Sequence, residues 1–177
     1  MKKLLYMVLV AILSVGLIAC SGDSNGGDES DNGKDKESKE KIYEVGETWE
    51  VEGQWKFTIT DVKEIQDRND SEDWEPGAVY TVSYSLENVG YVDPSDESKG
   101  LYFNSAIIGA EVKDAKGKDG KAYAAGVSEY DKDPLKGETA TGLDAFGVVN
   151  PGEFKLTINK LDGNGKTQEA TFLCKAK

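Results

Sequence analysis

The stretch Tyr80-Thr81-Val82-Ser83-Tyr84-Ser85-Leu86 alternates large apolar side chains with small hydroxylated ones. Successive side chains of an extended strand point to opposite faces, so this stretch predicts a strand with one apolar face and one wet face. The same period places Trp55, Phe57 and Ile59 on one face of an earlier strand. No window of about a dozen residues shows a helical stripe. The pattern therefore predicts a β protein.

Alternation continues outward from this stretch as far as Cys174. Further strands are predicted around Ile108, Ala110 and Val112, around Phe154, Leu156 and Ile158, around Ala170, Phe172 and Cys174, and over residues 48–51, 101–103 and 146–149. About seven to eight strands result. Because each is apolar on one face, two facing antiparallel sheets are favoured, which is an all-β sandwich. A closed barrel is the alternative, since alternation does not separate the two.

Turn residues and large aromatic residues support the same arrangement. Asn150-Pro151-Gly152, Asp119-Gly120 and Asn164-Gly165 carry the Pro, Gly, Asn and Asp residues that tight antiparallel connections use. The side chains at inward strand spacing are predicted to form the core, and they are Trp49, Trp55, Tyr80, Tyr84 and Phe172. Cys174 shares this inward face, where a thiol behaves as a small apolar group.

Several motifs together resemble an immunoglobulin-like domain of unknown function that is common on lipoproteins of Gram-positive bacteria. That domain is similar in fold to a secreted mycobacterial immunoprotective antigen. The resemblance implies an immunoglobulin-like sandwich over residues 42–177. The motifs that carry it are Tyr43-Glu44-Val45-Gly46-Glu47-Thr48, Trp55 to Val62, Tyr80 to Leu86 with Glu87-Asn88-Val89-Gly90, Gly120-Lys121-Ala122-Tyr123 and Asn150-Pro151-Gly152-Glu153.

Two acidic connections, residues 66–77 and 91–105, depart from the family pattern. The first holds a cluster of oxygen-bearing side chains that suit calcium, and the members are Asp67, Asn69, Asp70, Glu72 and Asp73. An EF-hand loop started at Asp67 fails, because Glu72 and Ala78 stand where Gly and Glu are needed. The cluster is therefore interpreted either as a looser calcium site or as a solvated loop. Asp93, Asp96 and Glu97 form a second cluster with the same alternatives.

Trp74 lies inside the first of these connections. Its ring is predicted either to face a sugar or peptide ligand or to fold back over the end of the sandwich.

Residues 20–41 are predicted to be a flexible spacer that begins with Cys20. From Ser21 to Lys41 every residue is Gly, Ser, Asn, Asp, Glu or Lys. Such a segment has no apolar area to offset the entropy of ordering. As a coil it spans roughly 25 Å. An S-x-x-K match from Ser38 to Lys41 is interpreted as chance, because a nucleophile needs a rigid scaffold.

Residues 1–19, at the start of the chain, are predicted to be a lipoprotein signal peptide. Lys2 and Lys3 precede a run, Leu4 to Ala19, that is apolar except at Ser14 and Gly16. As a helix this run spans about 24 Å, short of the roughly 30 Å hydrocarbon core. Leu17-Ile18-Ala19-Cys20 resembles the lipobox of bacterial lipoproteins, which implies cleavage before Cys20 and a diacylglycerol on its thiol. The alternatives are a plain signal peptide and an N-terminal membrane helix.

Composition excludes several classes of activity. The 177 residues carry 33 acidic and 21 basic side chains, no histidine and two cysteines, for a formal charge of −12. Removal of residues 1–19 takes away Lys2 and Lys3 and leaves −14. His-ligated zinc and Ser-His or Cys-His catalysis are excluded, and an acidic surface disfavours nucleic acid. A free Cys174 without a partner also excludes an internal disulfide once Cys20 is acylated.

These patterns predict location better than activity. We expect a cell-membrane lipoprotein whose monomeric domain faces the extracytoplasmic side and binds a protein or envelope component. No catalytic residue, metal ligand or cofactor is predicted, and the chain is not expected to be an enzyme. The alternatives are a surface hydrolase that cleaves glycans with paired carboxylates and a calcium-dependent binding module. Two carboxylates converging in a cleft beside Trp74 would favour the hydrolase.

Overall fold

A computed structural model describes residues 41–177 except Asp70 and Glu72. The predicted signal peptide, the lipidation site Cys20 and all of the predicted spacer except Lys41 lie outside the described residues. Within residues 41–177, no helix is long and apolar enough to cross a membrane.

The described residues of the domain form ten strands and one short helix, so the prediction of seven to eight strands was too low. They are β1 (Ile42–Glu44), β2 (Thr48–Val51), β3 (Trp55–Ile65), β4 (Ala78–Asn88), α1 (Asn104–Ile108), β5 (Glu111–Asp114), β6 (Asp119–Ala122), β7 (Glu129–Tyr130), β8 (Thr139–Val148), β9 (Phe154–Leu161) and β10 (Thr167–Cys174).

The strands form the two sheets of a β-sandwich, as the alternation predicts. The first sheet runs β1-β10-β9-β5 and the second runs β2-β3-β4-β8. Strand β6 pairs with both β5 and β8 and so joins the sheets along one side. Strand β7 pairs with β8 on the same edge as β6, a few residues further along. The edge of β8 therefore carries two short strands with a gap between them.

One strand pair departs from the expected antiparallel arrangement. Strand β1 pairs in parallel with β10, and Tyr43 stands opposite Phe172 with the ring centroids 5.2 Å apart. The next strand, β2, belongs to the other sheet, so β1 is free to align with the last strand of the chain. A three-residue strand of this kind is too short to show its direction in a sequence pattern.

The inward faces of the two sheets meet in one aromatic core. Trp49, Trp55, Tyr80, Tyr84 and Phe172 are all buried, as predicted. Contacts between the sheets include Phe57 against Phe172, with centroids 5.5 Å apart, and Tyr80 against Phe154 at 5.3 Å. Offset and edge-to-face ring pairs of this kind stabilise a core beyond their buried area.

The strand predicted around Ile108, Ala110 and Val112 is correct only for Val112, which is buried in β5, and the rest of the connection around α1 was predicted wrongly as strands. Ile108 belongs to α1 and is half exposed, whereas residues 101–103 form no strand. Phe103 and Ile107, four residues apart, are both fully buried. That spacing is helical, but a helix of five residues is too short to produce a repeating stripe.

Two hairpins, β5-β6 and β9-β10, are closed by loops of the same type. Asp114-Ala115-Lys116-Gly117-Lys118 joins β5 to β6, and Asp162-Gly163-Asn164-Gly165-Lys166 joins β9 to β10. In each loop the first carboxylate accepts bonds from the backbone N–H groups two and four residues later, at 2.9–3.0 Å. The glycines adopt φ of +74° and +75°, which favours a residue without Cβ.

The second of these loops contains the predicted Asn164-Gly165 turn. The predicted turn at Asp119-Gly120 was wrong, because these residues begin β6 and the turn falls at Gly117. Gly120 has a different role. A Cβ there would lie 2.5 Å from the carbonyl oxygen of Gly147.

Asp114→Asn is expected to weaken the acid dependence of stability. Burial raises the pKa of Asp114, but hydrogen bonds from the Asn150 side chain and from backbone N–H groups outweigh it and hold the pKa at about 2. A carboxyl with a lowered folded-state pKa stabilises the fold above its unfolded pKa of about 3.9, and this contribution is lost as pH falls towards 2.

The measurement is denaturant unfolding between pH 2 and 7. The variant should be less stable at neutral pH and should lose less stability on acidification than the original chain. Glu169→Gln, which removes an exposed carboxylate from β10, is the matched control. Parallel stability curves for the original chain and Asp114→Asn would contradict this role.

Candidate functional site

Asn69 attaches the acidic loop of residues 66–77 to the segment that follows β6 through hydrogen bonds. The Asn69 backbone N–H donates to Tyr123 Oη at 2.8 Å, and its Nδ2 donates to the Ala124 carbonyl at 2.8 Å. Asn69 Oδ1 accepts from the Ser71 N–H at 3.0 Å. Within the described part of this loop, Asp67 and Asp73 are exposed.

Calcium binding by this loop stays a prediction. Two of its candidate ligands, Asp70 and Glu72, lie outside the described residues. Among the described residues, no three Asp, Glu, His or Cys side chains are grouped to hold a metal ion.

Trp74 lies against the outer face of the second sheet. A Cβ added to Gly147 of β8 would come within 2.6 Å of the Trp74 ring, so the ring lies directly on the backbone there. Tyr123 meets the ring edge-to-face at 6.4 Å, and Lys121 Nζ lies 5.2 Å from the ring centroid. The ring is half-buried and belongs to a small second cluster around Val79 and Ala145. Trp74 therefore folds back onto the sandwich, as one of the two interpretations predicted, but it covers the outer face of the second sheet and not the end of the sandwich.

The second acidic cluster builds two consecutive turns. Asp93 Oδ1 accepts from Ser95 N at 2.7 Å and from Ser95 Oγ at 2.5 Å. Asp96 Oδ1 accepts from Ser98 N at 3.0 Å and from Ser98 Oγ at 2.7 Å. Hydrogen bonds from these serines lower the pKa of both carboxyls. The two aspartates shape the connection through Oδ1, which in each case accepts two hydrogen bonds from a nearby serine.

Cys174 is fully buried on the inward face of β10, as predicted. Burial raises the pKa of its thiol to about 12. Since the thiolate is the nucleophile and the metal ligand, this cysteine is chemically inert in the folded protein.

In the described domain, a cavity that combines a buried carboxylate with apolar walls lies in the gap between β6 and β7. We call it the notch. It measures about 410 Å³, and it is lined by Asn104 and Ile108 of α1, residues 122–124 at the end of β6, residues 128–130 around β7, and residues 144 and 145 of β8. On one side the cavity reaches the buried Asp144. On the other side it opens to solvent, where Ser128 and Glu129 are exposed.

Asp144 is a carboxylate on the core side of the sandwich. Along β8 the inward positions are Ala140, Gly142, Asp144, Phe146 and Val148, which are all buried. The Asp144 side chain is 6% exposed, and Tyr84 Oη donates a hydrogen bond to its Oδ2 at 3.1 Å. Among the residues of the described domain, no lysine or arginine nitrogen lies within 4 Å of the Asp144 or Glu129 carboxylates.

Gly142 makes this arrangement possible. Tyr84 of β4 stands directly opposite Gly142, and Asp144 is the diagonal neighbour two residues further along β8. The Tyr84 ring lies over Gly142 so closely that a Cβ would be 2.3 Å from Cζ. Only a residue without a side chain lets the phenol cross β8 and reach the carboxylate.

Two opposing effects set the ionisation of Asp144. Burial raises the pKa of its carboxyl, and the hydroxyl groups of Tyr84 and Ser128 partly oppose this by hydrogen bonding to the charged form. Burial and the neighbouring Asp144 carboxylate raise the pKa of Tyr84, so the phenol remains a donor. A buried acid with a raised pKa in a cavity marks a candidate functional site.

Asp144→Asn is expected to gain stability relative to the original chain as pH rises. A carboxyl with a raised folded-state pKa stabilises the fold below its unfolded pKa of about 3.9, and this contribution is lost as pH rises through the folded-state pKa. Asn still accepts the Tyr84 hydrogen bond and carries no charge.

Denaturant unfolding between pH 3 and 7 measures the difference between the two chains. As pH rises, Asp144→Asn should gain stability relative to the original chain, whereas Asp114→Asn should lose stability relative to it. A constant difference across this range would contradict the raised pKa.

A second cavity of about 710 Å³ lies beside the notch on the outer face of the second sheet. Thr60, Ser83, Thr141 and Leu143 form its floor, and Glu129, Tyr130 and Asp131 form one wall. It therefore shares β7 with the notch. Tyr130 Oη donates to Asp133 Oδ1 at 2.6 Å, which fixes the orientation of its phenol.

Sequence reasoning missed the residues of the notch. It singled out the acidic loops, but Asp67, Asp73 and Trp74 do not line this cavity. A signal for Asp144 does exist in the chain. It occupies the same strand parity as Phe146 and Val148, so an acid stands where an apolar inward residue is expected.

Comparisons with known proteins address the fold. No protein-family model matches the chain, and no curated protein matches it. The structure is similar to MPT63, a secreted protein from Mycobacterium tuberculosis, with a TM-score of 0.50 and 15% identity over 78% of this chain and 98% of that one. That likeness shows the fold alone.

Two further solved structures are similar. The yjhA protein from Bacillus subtilis has a TM-score of 0.49 and 13% identity over 77% of this chain and 100% of its own. An uncharacterized β-sandwich protein from Clostridium difficile 630 has a TM-score of 0.43 and 14% identity over 79% of this chain and 99% of its own.

Proposed function

We propose that this chain is a lipid-anchored extracytoplasmic module whose β-sandwich binds a protein or envelope component at the notch. The anchor rests on the run from Lys2 to the lipobox-like Leu17-Ile18-Ala19-Cys20. Two acyl chains hold a protein stably on a membrane without a spanning helix, whereas one chain holds it only marginally. The membrane, by this proposal, is contacted only through the diacylglycerol on Cys20.

One observation carries the binding role. A buried carboxylate, Asp144, lines a cavity that opens to solvent between the short strands β6 and β7. A buried acid without a cationic partner among the described side chains costs free energy, and perturbed acids in clefts cluster at functional sites. The acidic spacer repels anionic lipid headgroups, which favours projection of the domain towards a partner.

Site-specific crosslinking on intact cells tests this proposal. A photoreactive p-benzoylphenylalanine replaces Ile108, which lies on the rim of the notch and is 50% exposed. The control places it at Leu161 of β9, which is 54% exposed. We expect a discrete crosslinked product from position 108, none from position 161, and loss of the product when Asp144→Asn is added.

Equal products from both positions, no product from position 108, or a product that survives Asp144→Asn would contradict the notch as the contact surface. Unchanged amounts of protein in the membrane fraction must accompany each variant, so that loss of the product reports contact and not degradation.

A further inference from the structure

The chemistry of the notch indicates the class of ligand, and this inference rests on the binding role proposed above. The chain has an excess of acidic residues and a formal charge of −12. Its field therefore repels anions and attracts cations. Inside the notch, Asp144 and Glu129 add two carboxylates that have no described lysine or arginine within ion-pair distance. A cation is the complementary ligand charge.

The donor set does not suit a metal ion. Calcium takes six to eight oxygen ligands, several of them carboxylates. Within the described residues no three acidic, histidine or cysteine side chains are grouped, and the notch contributes two. The remaining polar side chains are the Ser128 hydroxyl, the Asn104 amide and the phenols of Tyr123 and Tyr130, together with Tyr84 behind Asp144. They accept single hydrogen bonds from an organic cation, whose N–H groups need separate acceptors.

The walls suit an aliphatic stem. Ala122, Ala124, Ala145 and Ile108 line the cavity with short or branched apolar side chains. The volume of about 410 Å³ falls within the range of roughly 300–1,000 Å³ that is typical of small-ligand pockets. An apolar wall with a few converging polar groups at one end fits a ligand that has an apolar stem and a charged tip.

The geometry of Asp144 favours an ammonium over a guanidinium. Asp144 Oδ2 already accepts the Tyr84 hydroxyl at 3.1 Å. A guanidinium binds best when both carboxylate oxygens are open to its planar fork. An ammonium is a point charge with three N–H donors, and it needs one carboxylate oxygen plus neutral acceptors.

We propose that the notch binds a primary ammonium group on a short aliphatic stem, which lies between the alanine walls with its charge against Asp144. Two sources share this chemistry, namely a free alkylamine and the lysine side chain of a partner protein. The Tyr84 hydroxyl orients the Asp144 carboxylate, and Ser128 stands at the solvent side of the ammonium.

The test is an NMR titration of the full-length, 15N-labelled chain in detergent micelles. The probe is n-butylammonium chloride, and n-butanol is the uncharged probe with the same stem. We expect saturable amide shifts at residues 122–124 and 128–130 with n-butylammonium and no saturable shifts with n-butanol. Asp144→Asn should raise the dissociation constant about tenfold or more, because a charge-assisted hydrogen bond is lost.

Two variants keep the result interpretable. Glu169→Gln removes an exposed carboxylate from β10 and should change the dissociation constant by less than about twofold, since exposed charges are screened. Ala124→Phe places a ring at an exposed position of the wall and should block binding while Asp144 is retained. Native amide dispersion in each variant shows that the fold is intact.

The acetyl-Gly-Lys-Gly-amide peptide separates the two sources. Binding at least as tight as that of n-butylammonium assigns the site to lysine side chains, and exclusion of the peptide assigns it to free amines. No saturable shift with either ammonium probe, equal binding of n-butanol, or equal losses in Asp144→Asn and Glu169→Gln would overturn the proposal. Ammonium binding without a crosslink at position 108 would instead reject the partner on cells and leave this inference standing.

Discussion

Trp55→Ala is expected to lower the free energy of unfolding by about 3–5 kcal/mol, the range for removal of a buried tryptophan side chain. Trp55 is fully buried and contacts three other rings. Its centroid lies 5.9 Å from that of Trp49 and 6.0 Å from those of Tyr91 and Phe103. Substitution leaves a cavity at the meeting point of β2, β3 and the 91–105 connection, where close packing prevents the backbone from refilling it.

Trp74→Ala is the matched control for this prediction. The Trp74 ring is half-buried on the outer face of the second sheet, so its removal exposes less area and leaves no closed cavity. We expect less than half the loss seen for Trp55→Ala in the same urea denaturation measurement. Equal losses would contradict the assignment of one ring to the core and the other to the surface.

Gly142→Ala is expected to lower the free energy of unfolding by about 2–4 kcal/mol. Overpacking of a core costs about 1–3 kcal/mol, and loss of the Tyr84 hydrogen bond adds about 1 kcal/mol. The new Cβ would lie 2.3 Å from Tyr84 Cζ and Oη. The Tyr84 ring has little room to move, because it lies 5.4 Å from the Phe57 ring. The substitution should therefore also displace the phenol from Asp144.

A double-mutant cycle separates this clash from a general effect on β8. In a Tyr84→Ala background the ring is absent, so Gly142→Ala should cost much less than it does in the original chain. Thr141→Ala, at the exposed neighbouring position of the same strand, should cost little in either background. Equal costs of Gly142→Ala with and without the Tyr84 ring would show that the close approach does not govern this position.

Long strands were predictable from sequence because they repeat their pattern. In β3 and β4, residues such as Phe57, Ile59, Tyr80 and Val82 keep one parity and all enter the core. In β8 only the last residues showed the pattern, since Gly142 and Asp144 interrupt the apolar inward row. Short strands such as β6 and β7, and the helix α1, offer too few residues for a period to be visible.

The notch was not predictable because tertiary structure creates it. Ser128 and Asp144 come together only when β7 and β8 pair, and Asn104 joins them from a helix that the alternation did not indicate. Acidic residues close together in sequence, such as Asp93 and Asp96, were candidate calcium ligands, but their carboxylates accept hydrogen bonds within local turns. A single acid at an inward strand parity was the more informative signal.

The proposed anchoring of the chain at the cell membrane is tested most directly by mass spectrometry of its N-terminal peptide from the membrane fraction. We expect a peptide that begins at Cys20 and carries a diacylglyceryl group on the thiol. A peptide that retains Met1, or one that begins at Cys20 with a free thiol, would contradict it.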